Sequence, residues 1–170
     1  MASKIKVDQL ETADGTGTIA LQNQLSGLAS ASMPTGSVLQ VKNVEYSTET
    51  NITTQTETVT GYTLNITPSA TSSKILINVA FPLRKNNTSD TDGLKIVLYK
   101  NGSSHKILNW WWGYHNDDNK FSAFAHQVLD SPSTTSQITY AIYVRTNASN
   151  SFILNDTGAI GSMTLMEIAG

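Results

Sequence analysis

Apolar side chains recur at every second position in four stretches of the chain: Tyr62/Leu64/Ile66, Ile75/Ile77/Val79/Phe81, Leu94/Ile96/Leu98 and Tyr140/Ile142/Val144. A period of two puts those residues on one face of a β-strand and their polar neighbours on the other. Extending the pattern predicts strands at 37–43, 51–59, 61–67, 73–82, 94–100, 105–112, 120–129, 137–146, 151–155 and 162–168. Clusters of turn-forming residues separate them, including Pro68–Ser73, Asn86–Gly93, Asn116–Asn119 and Asp130–Pro132. Asn101-Gly102, set between two apolar runs, is the sharpest hairpin signal, because both residue types tolerate positive φ. The last strand, Met163–Ile168, belongs inside a sheet, since a bare apolar edge would invite aggregation. Many short strands at this spacing predict an all-β, jelly-roll-like sandwich over 34–170.

Residues 1–33 read differently. Two short apolar stretches, Ile5/Val7/Leu10 and Ile19/Leu21, flank the turn Asp14-Gly15-Thr16-Gly17, and a Ser/Ala/Gly-rich linker follows. So few apolar residues cannot build a core of their own. The stretch is therefore expected to be an extended arm with short strands that attaches to a partner or to other copies of the chain.

Composition supports strands over helices. Ser, Thr and Asn make up 55 of the 170 residues, and charged residues only 14%. Thr favours strands, Ser and Asn favour turns, and none is a strong helix former. A net charge of −2 argues against a nucleic-acid-binding stripe. No apolar run is long enough for a membrane-spanning helix, and the first residues lack the apolar core of a signal peptide, so synthesis in a cytoplasm is expected. Without cysteine there is neither a disulfide nor thiol chemistry.

Candidate chemistry is sparse. Trp110-Trp111-Trp112, followed closely by Tyr114 and His115, is the most distinctive stretch. Strand alternation turns Trp111 away from Trp110 and Trp112, so one side must offer an indole beyond a single core. Such rings fit core or subunit packing. They also fit a glycan, whose apolar face stacks on an indole while nearby polar groups take its hydroxyls. His105, His115 and His126 lack zinc-ligand spacing. Asp90/Asp92 and Asn116–Asn119 carry oxygen ligands but read better as solvated turns than as calcium loops. No nucleophile elbow or phosphate loop occurs. Neither an enzyme nor a cofactor or metal site is expected.

The segment Lys4–Asn23 resembles the N-terminal module of small virion and tail-fibre proteins of marine tailed bacteriophages, including cyanophages. Ser32–Val41 is similar to the joint that follows it in those proteins. Ser72–Ile77, Tyr99–Gly102, Asp130–Ser133 and Thr164–Gly170 are similar to their C-terminal domains. The resemblance implies a virion-located structural protein, trimeric, whose arm binds other virion proteins and whose head faces outward. A tail-fibre or fibre-tip role touching a host surface glycan or protein is the first expectation. The alternative is a capsid decoration or head-fibre protein. Under the first, Trp110 to His115 and the loops 86–92 and 116–119 are the expected contact residues.

Overall fold

The computed structural model describes residues 33–86, 93–112, 120–147 and 151–170, with the backbone alone at 111, 112 and 120. The arm positions Ile5, Val7, Leu10, Ile19 and Leu21 lie outside these residues, as do Asp90, Asp92, Tyr114, His115 and Asn116–Asn119.

Among the described residues ten strands form: β1 (Val38–Tyr46), β2 (Thr50–Ile52), β3 (Thr58–Ile66), β4 (Lys74–Asn86), β5 (Leu94–Lys100), β6 (Ser103–Trp112), β7 (Lys120–Asp130), β8 (Ile138–Thr146), β9 (Ser151–Leu154) and β10 (Gly161–Ile168). One sheet, here sheet A, contains β1, β10, β4, β9 and β2 in that order, with β7 on the other side of β4. The second, sheet B, runs β3-β8-β5-β6. Every pairing is antiparallel. Setting aside the short β2 and β9 leaves two four-stranded sheets, β1-β10-β4-β7 and β3-β8-β5-β6. That is the order a jelly roll makes when a long hairpin folds over on itself. The predicted fold class holds, and β10 lies inside its sheet, between β1 and β4.

The four alternations are the core. Ile75, Ile77, Val79 and Phe81 of β4 face Leu94, Ile96, Leu98, Tyr140, Ile142 and Val144 of sheet B, all buried. Tyr62 stacks on Phe81 at 5.0 Å, and Phe81 meets Phe124 at 5.1 Å, so an aromatic chain crosses the interior. The hairpin at Asn101-Gly102 also forms, with φ of 50° and 77°, values that match the mirror-image turn twisted strands require.

Four strand boundaries depart from the sequence reading by three residues or more: β1 runs on from 43 to Tyr46, β3 begins at Thr58 instead of 61, and two others differ further. The predicted strand 51–59 is only Thr50–Ile52 in sheet A, and the chain then crosses to sheet B, which it enters at Thr58. The backbone N–H of Thr146 donates to the Thr54 carbonyl at 2.9 Å, holding this crossing segment against the end of β8. Conversely, β4 runs four residues beyond the predicted end, straight through Pro82. Its edge towards β10 is shared: β10 pairs with Lys74–Ala80, and β9 with Leu83–Asn86. Pro82 sits in the fork, where its missing N–H costs no ladder bond. Its carbonyl accepts the N–H of Asn155 at 3.1 Å.

Buried carboxylates close one end. In a single inward row of sheet A, Gln40 pairs with Glu167, Glu167 with Ile75, and Ile75 with Asp130. Glu167 accepts the Ser69 N–H and hydroxyl at 2.6 Å, the Ser73 hydroxyl at 2.7 Å and the Gln40 amide at 2.6 Å. Burial pushes its pKa up, but these donors outweigh burial and hold it below the usual carboxylate value. Asp130 is held low in the same way, by Lys100 at 2.7 Å and Tyr140 at 2.5 Å. At the opposite end Gly161 begins β10 against Tyr62 and Phe81, where a Cβ would collide with the Tyr62 hydroxyl and the Phe81 backbone.

Candidate functional site

With Leu94, Ile96 and Leu98 turned inward, Lys95, Val97 and Tyr99 must lie on the outer face of sheet B. Direct pairing carries one row across all four strands: Val59 to Tyr143, Tyr143 to Val97, and Val97 to Ile107. Val59 and Ile107, at the two ends, are about half exposed (49% and 47%), whereas Val97 in the middle is fully covered. The Tyr99 and Tyr143 rings stack beside it at 3.8 Å.

Beside this row lies a charged cluster. Arg145 pairs with Lys95 across β8 and β5, and Glu57 reaches over from the crossing segment before β3. One Glu57 oxygen takes the Lys95 ammonium at 2.7 Å, with the Arg145 Nε at 3.9 Å; the other takes the Tyr99 hydroxyl at 2.5 Å. Burial raises the Glu57 pKa, but the hydrogen bonds from Lys95 and Tyr99 and the two cationic charges overcome it and hold it low. The same bond, with burial and the carboxylate charge, pushes the Tyr99 phenol up to about 12. Trp110 stands next to the cluster, 58% exposed, with the Lys95 ammonium 4.6 Å from its ring centre. An exposed indole beside a fixed set of donors and acceptors can stack on an apolar ring face and hydrogen-bond to hydroxyls at its rim.

Of the sequence-predicted contact residues, Trp110 is therefore placed on this face. Trp111 and Trp112 are placed by backbone only, at the end of β6. The β5–β6 ladder shifts register three times, so simple alternation does not carry through to Trp110. Lys95, Tyr99, Tyr143 and Arg145 were not singled out from the sequence, nor was Glu57 as their partner. The alternation of β5 and β8 could have placed four of them outward; Glu57 could not be found, because it sits where a strand was expected. His105 lies at the closed end, its Nε2 3.3 Å from Asp130, and His126 stacks on Phe124 at 6.1 Å. Among the described residues no group of His, Cys, Asp or Glu is arranged to hold a metal ion, and no helix is long and apolar enough to cross a membrane.

The outer face of sheet A is built of rows instead. Val41, Met166, Leu76 and Leu129 form an apolar row, and Asn43, Thr164, Asn78 and Gln127 an uncharged polar one. Within the second, Thr164 donates to Asn43 at 2.8 Å and Gln127 to Asn78 at 2.7 Å. Next to it Ser162, Ala80 and Ala125 floor a shallow trough.

Comparison of the fold with solved structures finds a chain of the T13 viral particle of infectious bursal disease virus, with TM-score 0.53 and 10% identity. The superposition covers 77% of this chain and 31% of that one. The likeness is one of fold. The VP2 subviral particle of the same virus superposes with TM-score 0.49 at 11% identity, over 77% of this chain and 33% of that one. The C-terminal domain of EclA, a sugar-binding protein, gives TM-score 0.35 at 16% identity, over 82% and 89%. The chain thus spans about a third of the length of the viral-particle chains it matches. No protein-family profile and no curated protein sequence matches it.

Proposed function

We propose that the protein is a non-enzymatic structural component of a virus particle, a tail-fibre or fibre-tip protein of a tailed bacteriophage. The observation that carries this reading is the jelly-roll strand order, together with its likeness to a chain of a viral particle. The low charge and the apolar rows on both outer faces support a protein that works by contact with neighbours. In this reading residues 1–33 are the arm that joins other virion proteins, residues 34–170 form the head, and the assembly is a homotrimer. The face around Trp110 meets the host surface, with the indole stacking on a sugar ring and Glu57, Lys95 and Tyr99 at its rim.

The test is binding of the full-length protein to an array of host-envelope glycans. Retention by a defined glycan, lost in Trp110→Ala while the fold is kept, is the expected result. No retention by any host envelope component would overturn the contact role. The same likeness supports a second reading, a capsid decoration protein, and stoichiometry separates the two. Quantitative mass spectrometry of purified particles would find few copies of a fibre protein but many of a decoration protein.

A further inference from the structure

Sandwich proteins protect their free strand edges with charge, proline or bulges. β1 carries Lys42 and Glu45, β3 has a register shift between Val59 and Thr63, and β6 has three shifts with His105 and Lys106. β7 differs from all of these. Its pairing with β4 runs from Asp130 to Lys120 with no register shift, and its other edge pairs with no strand among the described residues. Phe121–Leu129 holds neither a proline nor an Asp, Glu, Lys or Arg. Phe121 and Leu129, at its two ends, are 68% and 49% exposed.

Two hydrogen bonds show which backbone groups this edge offers. The Pro82 carbonyl points to Asn155, away from β7, so Pro82 and Ala123 are a non-hydrogen-bonded pair and Ala123 turns its own groups outward. At the far end the Leu129 carbonyl accepts from Lys106 across the gap to sheet B, at 3.4 Å. Successive residues alternate, so 121, 123, 125, 127 and 129 all present N–H and C=O to the free edge.

We propose that this edge pairs with the same edge of a second copy, antiparallel, about a two-fold axis through Ala125. That register sets Phe121 opposite Leu129 of the second copy at both ends, Ala123 opposite Gln127, and Ala125 opposite Ala125. Both exposed apolar residues are then covered, with Arg84 still over the Phe121 ring, and all five outward-facing residues donate and accept in the new ladder, the Leu129 carbonyl using its second lone pair because the Lys106 ammonium holds the first. A second copy is favoured over a foreign strand because the segment complements itself: with no charge to select an opposite charge, the match rests on Phe121 and Leu129, and both are its own. The trough at Ala80 and Ala125 would continue across the axis into the second copy. The contact goes beyond the proposed particle role and does not depend on it; trimers joined in this way would become hexamers.

The chain lacks cysteine, so single introduced thiols report the register cleanly. Hydrogen-bonded antiparallel partners have Cα atoms about 5.5 Å apart, within disulfide reach. Under mild oxidation, full-length Ala125→Cys is expected to convert to a covalent dimer, whereas Ala123→Cys alone is not. A mixture of Ala123→Cys and Gln127→Cys should give the mixed dimer. Dimer formation by Ala125→Cys no faster than by Ala123→Cys, or a monomer throughout, would overturn the proposal. All three positions are exposed and point away from the core, so folding of the variants is not at stake.

Discussion

The two outer faces of the sandwich solve one problem in opposite ways. Sheet B covers its outer face with its own side chains: Glu57 gathers Lys95, Tyr99 and Arg145, and Val97 is buried although it points away from the core. Sheet A leaves the middle of its face in plain rows of apolar, amide and small residues, held by single neutral hydrogen bonds, and carries a charged contact at its end, where Arg84 lies over Phe121 and pairs with Asp156. The first arrangement is finished within one chain and is sensitive to the loss of any member. The second is tolerant, and suited to being covered by something else.

The largest expected effect is on sheet B. Removing the Glu57 carboxylate strands the Lys95 ammonium, whose side chain is only 11% exposed. Glu57→Ala should therefore cost about 2 kcal/mol of stability in urea unfolding, with much of the loss recovered by adding Lys95→Met. Full wild-type stability in Glu57→Ala would erase the contrast between the faces.

Titration gives the next effect, and its sign follows from the shifts. The folded pKa of Glu57 is lowered, so the stability it supplies is complete above its ordinary value of 4.5 and is lost as pH falls through the lower folded value. Glu57→Gln should flatten part of the acid loss, the rest belonging to Glu167 and Asp130, which are shifted in the same direction. Tyr99 is raised from 10.0 to about 12, so its contribution is complete below pH 10 and disappears as pH rises through 12. Tyr99→Phe should remove part of the alkaline loss, the rest belonging to Tyr62 and Tyr140, whose phenols are also raised, and chemical denaturation across pH would show both limbs.

Smaller effects distinguish exposed from covered positions. Trp110→Ala forfeits the Lys95 contact and little packing, about 0.5–1 kcal/mol, while abolishing any glycan retention. Smallest of all, Thr164→Val on sheet A should stay within about 0.5 kcal/mol, because its hydroxyl bond to Asn43 is exposed.

How far the fold could be read from the chain depended on how local its causes were. The alternation in β4, β5 and β8 and the Asn101-Gly102 turn are properties of adjacent residues, so those elements were legible, β5 to its last residue. Thr53, Thr54 and Thr56 have strand propensity, yet the segment leaves the sheet because Thr54 is claimed by Thr146, 92 residues away. Pro82 reads as a strand end, but β4 passes through it because β10 and β9 hand over there. At the candidate site, Trp110 stood out by its chemistry; its neighbours did not, since a Glu in a crossing segment, a Lys and a Tyr on β5 and a Tyr on β8 carry no joint signal until register brings them together.

Periodicity and turn chemistry alone determined that this chain is a β-sandwich, where most of its strands fall and which apolar side chains fill its interior, because burying one face of a pleated strand is a local demand. Tertiary structure decided the rest: the order of strands, the fork in sheet A, the Glu57 cluster and the bare edge of β7. Each depends on which distant backbone lies alongside, and hydrogen-bond pairing between remote segments sets that, not the identity of neighbouring residues.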